Sequence, residues 1–322
     1  MNDRSLDAPA DAAAVRWAYR LVLGREPENE EAVRAHVARG TTLAQLREAF
    51  LGSHEFRVKV RGVAPPPPTG LEPPLAIDRA DEGALRDRLF RHIAKSWSHY
   101  GNTEPHWSVL TFDQYRNERL HENLDAFNAS GQVTVNRFLA TLVRNGIMFP
   151  ANAHCIELGC GVGRLTRWLA PHARAVTALD VSPGHLALAK EHVGKYASNV
   201  EFRQLRSLED LDALPPAEVF FTFLVLQHNP PPVIESILDR IFARLTPGAI
   251  AYFHLPTYIP GYRFSIDAYL CEREDELGME MHALPRRDVF RIAERHGMET
   301  LEVLNEATKE LMLADYFLMR KR

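Results

Sequence analysis

Residues 154–164 read His-Cys-Ile-Glu-Leu-Gly-Cys-Gly-Val-Gly-Arg, and this stretch decides the fold. The apolar run from Cys155 to Leu158 predicts a short buried strand, and the run from Leu165 to Ala170 predicts a helix after it. Between them three glycines stand at alternate positions: Gly159, Gly161 and Gly163. Glycines at this spacing let the backbone turn tightly at a strand end, and they let a ligand approach without meeting a Cβ atom.

A second strand, from Ala175 to Leu179, ends in Asp180, seventeen residues after Gly163. A carboxylate at that strand end can accept hydrogen bonds from a ribose diol. A dinucleotide fingerprint would place its third glycine at position 164, where this chain has Arg164. The pattern therefore favours a nucleoside-type cofactor without a pyrophosphate.

The acid Glu157, two residues before the first glycine, completes a pattern that resembles the first motif of the class I methyltransferases. These enzymes use S-adenosylmethionine, and the resemblance covers residues 95–322. It implies that Glu157 engages the positive amino group of the cofactor, directly or through water. The cofactor-binding residues that the resemblance implies are Glu157, Gly159, Cys160, Gly161, Gly163, Asp180, Val181, Ser207, Leu224 and Gln227.

The resemblance also implies an α/β fold with a Rossmann-like seven-stranded methyltransferase sheet and helices on both faces. The later strands are expected at 200–205, 219–225, 250–255, 300–304 and 316–320. In this family an acid usually closes the third strand and meets the adenine amine. Here Arg206 and Ser207 follow that strand, so the adenine contact would fall to Ser207 or to the backbone.

Prolines divide the chain between residues 64 and 74. At this density they favour an extended spacer and block both helix and central strand. We therefore expect a small helical domain over 1–63 and a Pro-rich linker over 64–80. A methyltransferase domain would follow over 81–322, with a helical lid (81–150), a cofactor-binding core (151–255) and a substrate insert (256–285).

The first 63 residues show helical periodicity. An apolar stripe of Ala14, Trp17, Ala18 and Leu21 predicts the buried face of a helix that Gly24 ends. Leu43, Leu46 and Phe50 repeat the pattern in a later helix.

The strings at 19–27 and 50–57 resemble a bacterial helical domain of unknown function that is related to the phycobilisome linker domain. The resemblance implies a docking or oligomerisation unit that could bind a protein partner. A stabilising appendage is the alternative.

The composition of the chain limits the classes of protein to which it can belong. The chain of 322 residues is 46% hydrophobic with a formal charge of −4, which is typical of a globular protein and gives no electrostatic case for binding nucleic acid. No apolar run is long enough to cross a bilayer. Three cysteines without metal or disulfide spacing, and a start without a signal pattern, favour a cytoplasmic location.

The chemistry of a sulfonium methyl group needs alignment and exclusion of water, with neither a metal nor a covalent nucleophile. A hydroxyl acceptor also needs a base, and histidine suits that task near neutral pH. His228 and His254 follow or end the fourth and fifth strands, at the carboxyl edge where α/β sheets bind ligands. The aromatic residues that we expect against the acceptor are Tyr100, Trp107, Tyr258 and Tyr262.

Three classes of function stay open at this point. The leading hypothesis is a methyltransferase that acts at oxygen on a small-molecule or glycan acceptor. The second is an N- or C-methyltransferase, or an enzyme that uses the sulfonium cofactor without transferring its methyl group. The third is a non-catalytic cofactor-binding module recruited through the N-terminal helices.

Overall fold

The computed structural model describes residues 4–27, 29–51, 53, 56, 73–80, 83–272, 277–307 and 312–322. The chain forms two compact units, one of Met1–Glu72 with Thr308–Leu311 and one of Pro73–Ala307 with Met312–Arg322. Parts of the sequence predictions lie outside the described residues. They are the Pro-rich stretch 64–72, half of the string 50–57 and the turn 308–311 between the last two strands.

The small unit contains three described α-helices. Helix α1 begins after Asp11, whose side chain accepts a hydrogen bond from the amide of Ala14, and it ends as predicted at Gly24, which has a φ of 61°. Leu46 and Phe50 lie in its core. The helices are α1 (Ala12–Leu23), α2 (Glu30–Ala38) and α3 (Leu43–Leu51).

The buried face of α1 differs from the predicted stripe. Val15, Tyr19 and Leu23 are buried, whereas Trp17 and Leu21 are 54% and 77% exposed. The prediction was wrong because α1 is apolar on more than one side. Both sets of residues have helical spacing, and only packing against α2 and α3 selects between them.

The large unit alternates strands and helices. Its strands are β1 (Ala76–Ile77), β2 (His154–Leu158), β3 (Ala175–Asp180), β4 (Val200–Gln204), β5 (Ala217–Thr222), β6 (Leu245–Tyr258), β7 (Arg263–Phe264), β8 (Met298–Ala307) and β9 (Leu313–Lys321). Its α-helices are α4 (Gly83–Thr103), α5 (Pro105–Val109), α6 (Leu120–Arg144), α7 (Thr166–Leu169), α8 (Pro183–Val193), α9 (Pro231–Arg244), α10 (Ile266–Glu272) and α11 (Arg286–Arg295).

Seven strands form the main sheet in the order β4-β3-β2-β5-β6-β9-β8. The five strands from β4 to β6 in this order are parallel, and β9 is antiparallel to both of its neighbours. This sheet confirms the predicted fold class. The chain builds outward from β2 in one direction and then returns to build β5 and β6 in the other. The crevice at that reversal, outside the carboxyl ends of β2 and β5, is where such sheets bind ligands.

Both faces of the sheet are covered. Ile156 and Phe220 lie on the face that packs against α9 and α11. Phe221 and Tyr252 lie on the opposite face, where Phe138 of α6 stacks on Tyr252 with 4.8 Å between ring centroids. Two buried faces explain why these strands read as nearly continuous apolar runs.

Several details of the large unit differ from the sequence predictions. Ala76 and Ile77, in the predicted linker, form a strand that pairs with β7. Strand β5 ends at Thr222, three residues early, because the backbone turns at Leu224, which has a φ of 59°. On α6, Val143 is 65% exposed although it continues the apolar stripe of Phe138 and Leu142.

Candidate active site

A cleft lies at the carboxyl edge of the sheet. The glycine loop after β2, the end of β3, the segment after β5 and helix α4 form its walls. Sequence-predicted residues that line it are Gly159, Cys160, Gly161, Asp180, Val181, Leu224 and His228. Seven predicted residues from separate parts of the chain therefore meet in one cavity.

The glycine loop needs glycine for two reasons. Gly159, Gly161 and Gly163 all have a positive φ, between 53° and 82°, which residues with a Cβ atom rarely adopt. Space is also short, because a Cβ on Gly161 would lie 2.8 Å from Val109 and one on Gly163 would lie 2.6 Å from Val193. Gly163 therefore serves helix packing, whereas Gly159 and Gly161 face the cleft.

Asp180 fixes the shape of this loop. Its Oδ2 accepts a hydrogen bond of 2.8 Å from the amide of Gly161, and its Oδ1 accepts one of 2.9 Å from the amide of Ser182. The Nδ1 atom of His185 lies 3.6 Å from Oδ1. Each carboxylate oxygen keeps a further lone pair, so Asp180 could also accept hydrogen bonds from a ribose diol.

Two charged groups with incomplete hydrogen bonding lie beside the loop. Both carboxylate oxygens of Glu157 are buried without a hydrogen-bond partner among the described residues, as is the Nε atom of Arg164. Burial raises the pKa of Glu157 to about 7, with Thr166 and Arg164 acting in the opposite direction. Burial likewise lowers the pKa of Arg164 to about 10.

Burying charges without partners is costly. A carboxylate and a guanidinium in this state match a ligand that carries one positive and one negative group. The amino-acid end of S-adenosylmethionine is such a group, so Glu157 and Arg164 could hold its amine and carboxylate. Arg164 also donates a hydrogen bond of 3.1 Å from Nη1 to Ser130.

His228 lies in the short helical turn after β5 and lines the cleft. Its Nδ1 atom is 2.8 Å from the carbonyl oxygen of Glu280, so Nδ1 carries the proton and Nε2 has the lone pair. Nε2 accepts a long hydrogen bond of 3.3 Å from the side-chain amide nitrogen of Gln227. Burial lowers the pKa of His228 to about 4, which keeps the ring neutral at physiological pH.

His254 has a different environment, although it also lies toward the end of a strand. It is buried in β6, outside the residues that line the cleft, with its ring 4.9 Å from the ring of Tyr316 and 5.5 Å from that of Phe223. Its Nε2 atom lies 3.2 Å from the Oε2 atom of Glu306. This pairing holds the pKa of Glu306 below its usual value.

Two predicted cofactor residues lie beside the cleft. Ser207 caps the short helical turn at Leu208–Leu211, and its amide donates to Asp210. Its neighbour Leu205 lines the cleft instead. Gln227 is buried behind His228, and its Oε1 atom has no hydrogen-bond partner among the described residues.

The four aromatic residues predicted against the acceptor lie outside the cleft lining. Trp107 packs under Arg116, whose guanidinium carbon is 4.1 Å from the ring centroid, and the ring of Tyr100 is 6.3 Å from that of Trp107. The hydroxyl of Tyr258 donates to the carbonyl of Pro73 at 3.2 Å. The hydroxyl of Tyr262 lies 2.7 Å from Nδ1 of His282.

The aromatic wall of the cleft comes from α4 instead. Phe90, Ile93 and Trp97 line it, and the ring of Trp97 lies 4.8 Å from that of His228. The signal was present in the sequence as a second stripe at i, i+3 and i+7, beside the stripe through Leu85 and Leu89. Periodicity does not tell which stripe meets the core and which meets a ligand.

Comparison with known proteins agrees with this geometry. The family described as a methyltransferase domain matches residues 155–248. Carboxy-S-adenosyl-L-methionine synthase of Chromohalobacter salexigens is 29% identical over 126 residues, which are 38% of this chain and 46% of that protein. Ubiquinone biosynthesis O-methyltransferase of Pseudomonas fluorescens is 30% identical over 118 residues, which are 36% of this chain and 50% of that protein. The chain spans about half the length of these curated relatives.

Solved structures of low sequence identity also resemble the chain. Magnesium protoporphyrin IX methyltransferase from Synechocystis PCC 6803, with bound S-adenosylmethionine, has a TM-score of 0.49 and 17% identity over 71% of this chain and 97% of that one. N-methyltransferase NodS from Bradyrhizobium japonicum WM9 has a TM-score of 0.46 and 15% identity, over 71% and 98% of the two chains.

The family match includes the glycine loop, the end of β3 and the turn after β5, which build much of the cleft, and the incompletely paired charges beside that loop fit the cofactor of the family. Residues 155–248 are therefore a methyltransferase domain of the class I type, whose cofactor is S-adenosyl-L-methionine.

Proposed function

We propose that the protein transfers the methyl group of S-adenosylmethionine to a hydroxyl oxygen of a small-molecule or carbohydrate acceptor. The observation that carries this proposal is the neutral imidazole of His228 in the wall of the cleft, with its proton on Nδ1 and its lone pair on Nε2. A relative that is named as an O-methyltransferase supports the choice of oxygen.

Residues of the glycine loop and of β3 would hold the cofactor. Glu157 and Arg164 would bind the amino-acid end, Asp180 the ribose, and Val181 and Leu205 the adenine ring. When bound, the cofactor supplies a methyl group that is already electrophilic because it is attached to a positive sulfur.

The proton of the acceptor hydroxyl would move to Nε2 of His228 as the oxygen takes the methyl group. His228 becomes an imidazolium, which its Nδ1–H bond to the carbonyl of Glu280 stabilises. The proton then leaves to solvent when the products depart, and the neutral ring is restored. His254 would take no part in this step, because Glu306 and two aromatic rings surround it.

Helix α4 would close the reaction off from water. Phe90, Ile93 and Trp97 present apolar surface toward the end of β5, where the acceptor must lie. Alignment of two reactants in such a cavity can supply on the order of 7–11 kcal/mol of the barrier. This contribution does not depend on the base, so a variant without His228 should keep part of the activity.

We propose a cytoplasmic location, since all three cysteines are free. No described helix of the chain has the length and apolar character that a membrane span requires. We further propose that the small helical unit binds a protein partner, because Trp17 and Leu21 leave an apolar patch on α1.

The test is incubation of the purified protein with an extract and S-adenosylmethionine that carries a ¹³C-labelled methyl group. We expect an extract molecule to gain one labelled methyl on oxygen while S-adenosylhomocysteine forms in equal amount. Label on nitrogen or carbon would replace the proposed acceptor atom. Formation of neither product would favour a non-catalytic cofactor-binding module.

One relative supports a second candidate function. The synthase from Chromohalobacter salexigens is named for a carboxylated form of the cofactor, and such an enzyme modifies the cofactor without donating its methyl group. The same experiment separates the two functions. The second candidate predicts a cofactor of increased mass and no S-adenosylhomocysteine.

A further inference from the structure

The segment after the substrate insert lies directly against the turn that carries His228. The amide of His282 donates a hydrogen bond of 2.7 Å to the carbonyl of Gln227. Two residues earlier, the carbonyl of Glu280 accepts the Nδ1–H of His228 at 2.8 Å. The position of the Glu280 backbone therefore decides which nitrogen of His228 carries the proton.

The side chain of Glu280 anchors that backbone from the other side. Its carboxylate is only 6% exposed. Oε2 lies 2.8 Å from Nε2 of His282, and Oε1 lies 3.4 Å from Nε2 of His92 on α4. The ring of Tyr269 of α10 packs against both imidazoles, 5.4 Å from that of His92 and 6.0 Å from that of His282. Three separate elements of the chain thus meet around this carboxylate.

These bonds have a consistent direction. The hydroxyl of Tyr262 lies 2.7 Å from Nδ1 of His282 and can donate to it, which leaves the His282 proton on Nε2 for Glu280. Burial acts to raise the pKa of Glu280, but the hydrogen bond from His282 helps to hold it below its usual value. The carboxylate is therefore an anion that accepts a hydrogen bond from His282.

We propose that Glu280 is a positioning residue for His228. Anchored through its carboxylate, it holds its own carbonyl where it accepts the Nδ1–H of His228 and so keeps the lone pair of the ring on Nε2. Trp97, which belongs to the same helix as His92, packs against the ring of His228. The hydrogen bond at Nδ1 and the packing of the Trp97 indole thus both fix the orientation of the His228 ring. This role rests on the proposed function, in which His228 is the base.

The experiment is NMR of the full-length protein labelled with ¹⁵N-histidine, which distinguishes the two neutral tautomers of each ring. The signals of His228 are identified by their loss in His228→Gln. In the wild type we expect His228 to be protonated at Nδ1. A wild-type ring protonated mainly at Nε2 would overturn the proposal.

Two substitutions of Glu280 then distinguish the loss of its hydrogen-bonding side chain from the loss of its charge alone. Glu280→Ala removes the anchor, and the ratio of the two His228 tautomers should fall by roughly fivefold to tenfold, the effect of one hydrogen bond. Glu280→Gln keeps an oxygen that can accept from His282, so it should retain the wild-type ratio. A folded Glu280→Ala protein with the wild-type ratio would contradict the proposal. If the Ala variant does not fold, His282→Phe, which removes the shortest bond to the carboxylate, gives the same readout.

The matched control is Glu306→Gln, since Glu306 is also a carboxylate paired with a histidine but lies beside His254. It should leave the His228 signals unchanged, and a shift as large as that of Glu280→Ala would show that the effect is not specific. Binding of S-adenosylhomocysteine is measured separately by calorimetry. Loss of that binding would count against the proposed function and not against the tautomer of His228.

Discussion

His228 and His254 lie near the carboxyl ends of neighbouring parallel strands, yet the structure gives them opposite surroundings. His228 lines the cleft, bonded through Nδ1 to a backbone carbonyl and with Nε2 next to an amide. His254 is enclosed by Phe223, Tyr316 and Glu306 on the face of the sheet that packs against α6.

The difference comes from the face of the strand and from the turn that follows it. His254 is still inside β6, so its side chain must point to one face of the sheet and into a packed layer. His228 follows β5 by six residues, after the backbone has turned at Leu224 toward the open edge. Of these two histidines, only the one that lies beyond the end of its strand lines the cleft.

The largest expected effect separates these two histidines directly. His228→Gln should lower methyl transfer to the extract acceptor by about 10²–10⁴-fold, the usual contribution of a general base. Cofactor affinity should change little. The loss should shrink as pH rises, because the acceptor hydroxyl then ionises without help.

His254→Gln is the matched control, and thermal unfolding of both variants corrects for stability. We expect His254→Gln to keep most of the turnover per folded molecule. Equal losses in the two variants would remove the distinction between the two strand ends. Wild-type turnover in His228→Gln would leave alignment alone as the source of catalysis.

The next effect compares two carboxylates, Glu157 beside the glycine loop and Glu306 beside His254, through the pH dependence of the free energy of unfolding. Burial raises the pKa of Glu157 from 4.5 to about 7, so between these values the folded protein keeps a proton that the unfolded chain has lost. The free energy of unfolding of the ligand-free protein therefore falls as pH rises through this window. Glu157→Gln should abolish this fall, which amounts to about 3 kcal/mol.

Glu306 should contribute a pH dependence of the opposite sign to the free energy of unfolding, and Glu306→Gln should abolish it. The hydrogen bond from His254 lowers the pKa of Glu306, so its contribution to stability is present above the ordinary pKa and is lost as pH falls through the lowered one. Urea unfolding at a series of pH values measures both variants. If the two substitutions change the pH dependence of the free energy of unfolding in the same direction, the assignment of Glu157 as the unpartnered acid is contradicted.

A smaller effect tests the ribose contact. Asp180→Ala should weaken binding of S-adenosylhomocysteine by roughly 1.5–3 kcal/mol, the contribution of hydrogen bonds to a charged group. Asp210→Ala is the control, because Asp210 also accepts two backbone amides, from Arg206 and Ser207, but lies outside the cleft. Calorimetry that finds equal affinities for the two variants would remove the ribose assignment.

The smallest effect concerns the N-terminal unit. Every residue that lines the cleft belongs to the large unit, so deletion of residues 1–63 should leave the affinity for S-adenosylhomocysteine unchanged. Calorimetry and thermal unfolding of the shortened protein check this. A loss of folding or of binding would mean that the two units share a core.

The sequence predicted the sheet, and the residues that it singled out after β2 and β3 meet in one cleft, because both depend on local rules. An apolar run, three glycines and an acid at fixed spacing leave little freedom for the turns after β2 and β3. Backbone positions with a positive φ, such as that of Gly161, are visible in the residue type itself.

The acceptor half was harder to predict because it is built by contacts between distant segments. Trp97 of α4 meets His228 only after the chain has folded, and the carbonyl of Glu280 reaches His228 from 52 residues away. The roles expected of Tyr258 and Tyr262 rested on residue type alone. Their hydroxyls bond to Pro73 and His282, and no local pattern indicates those partners.

The most direct test of the account is a crystal structure of the protein with S-adenosylhomocysteine. We expect the ribose at Asp180, the amino-acid end between Glu157 and Arg164, and the sulfur closer to Nε2 of His228 than to either nitrogen of His254. A ligand bound elsewhere, or a sulfur that faces His254 across the end of β6, would contradict it.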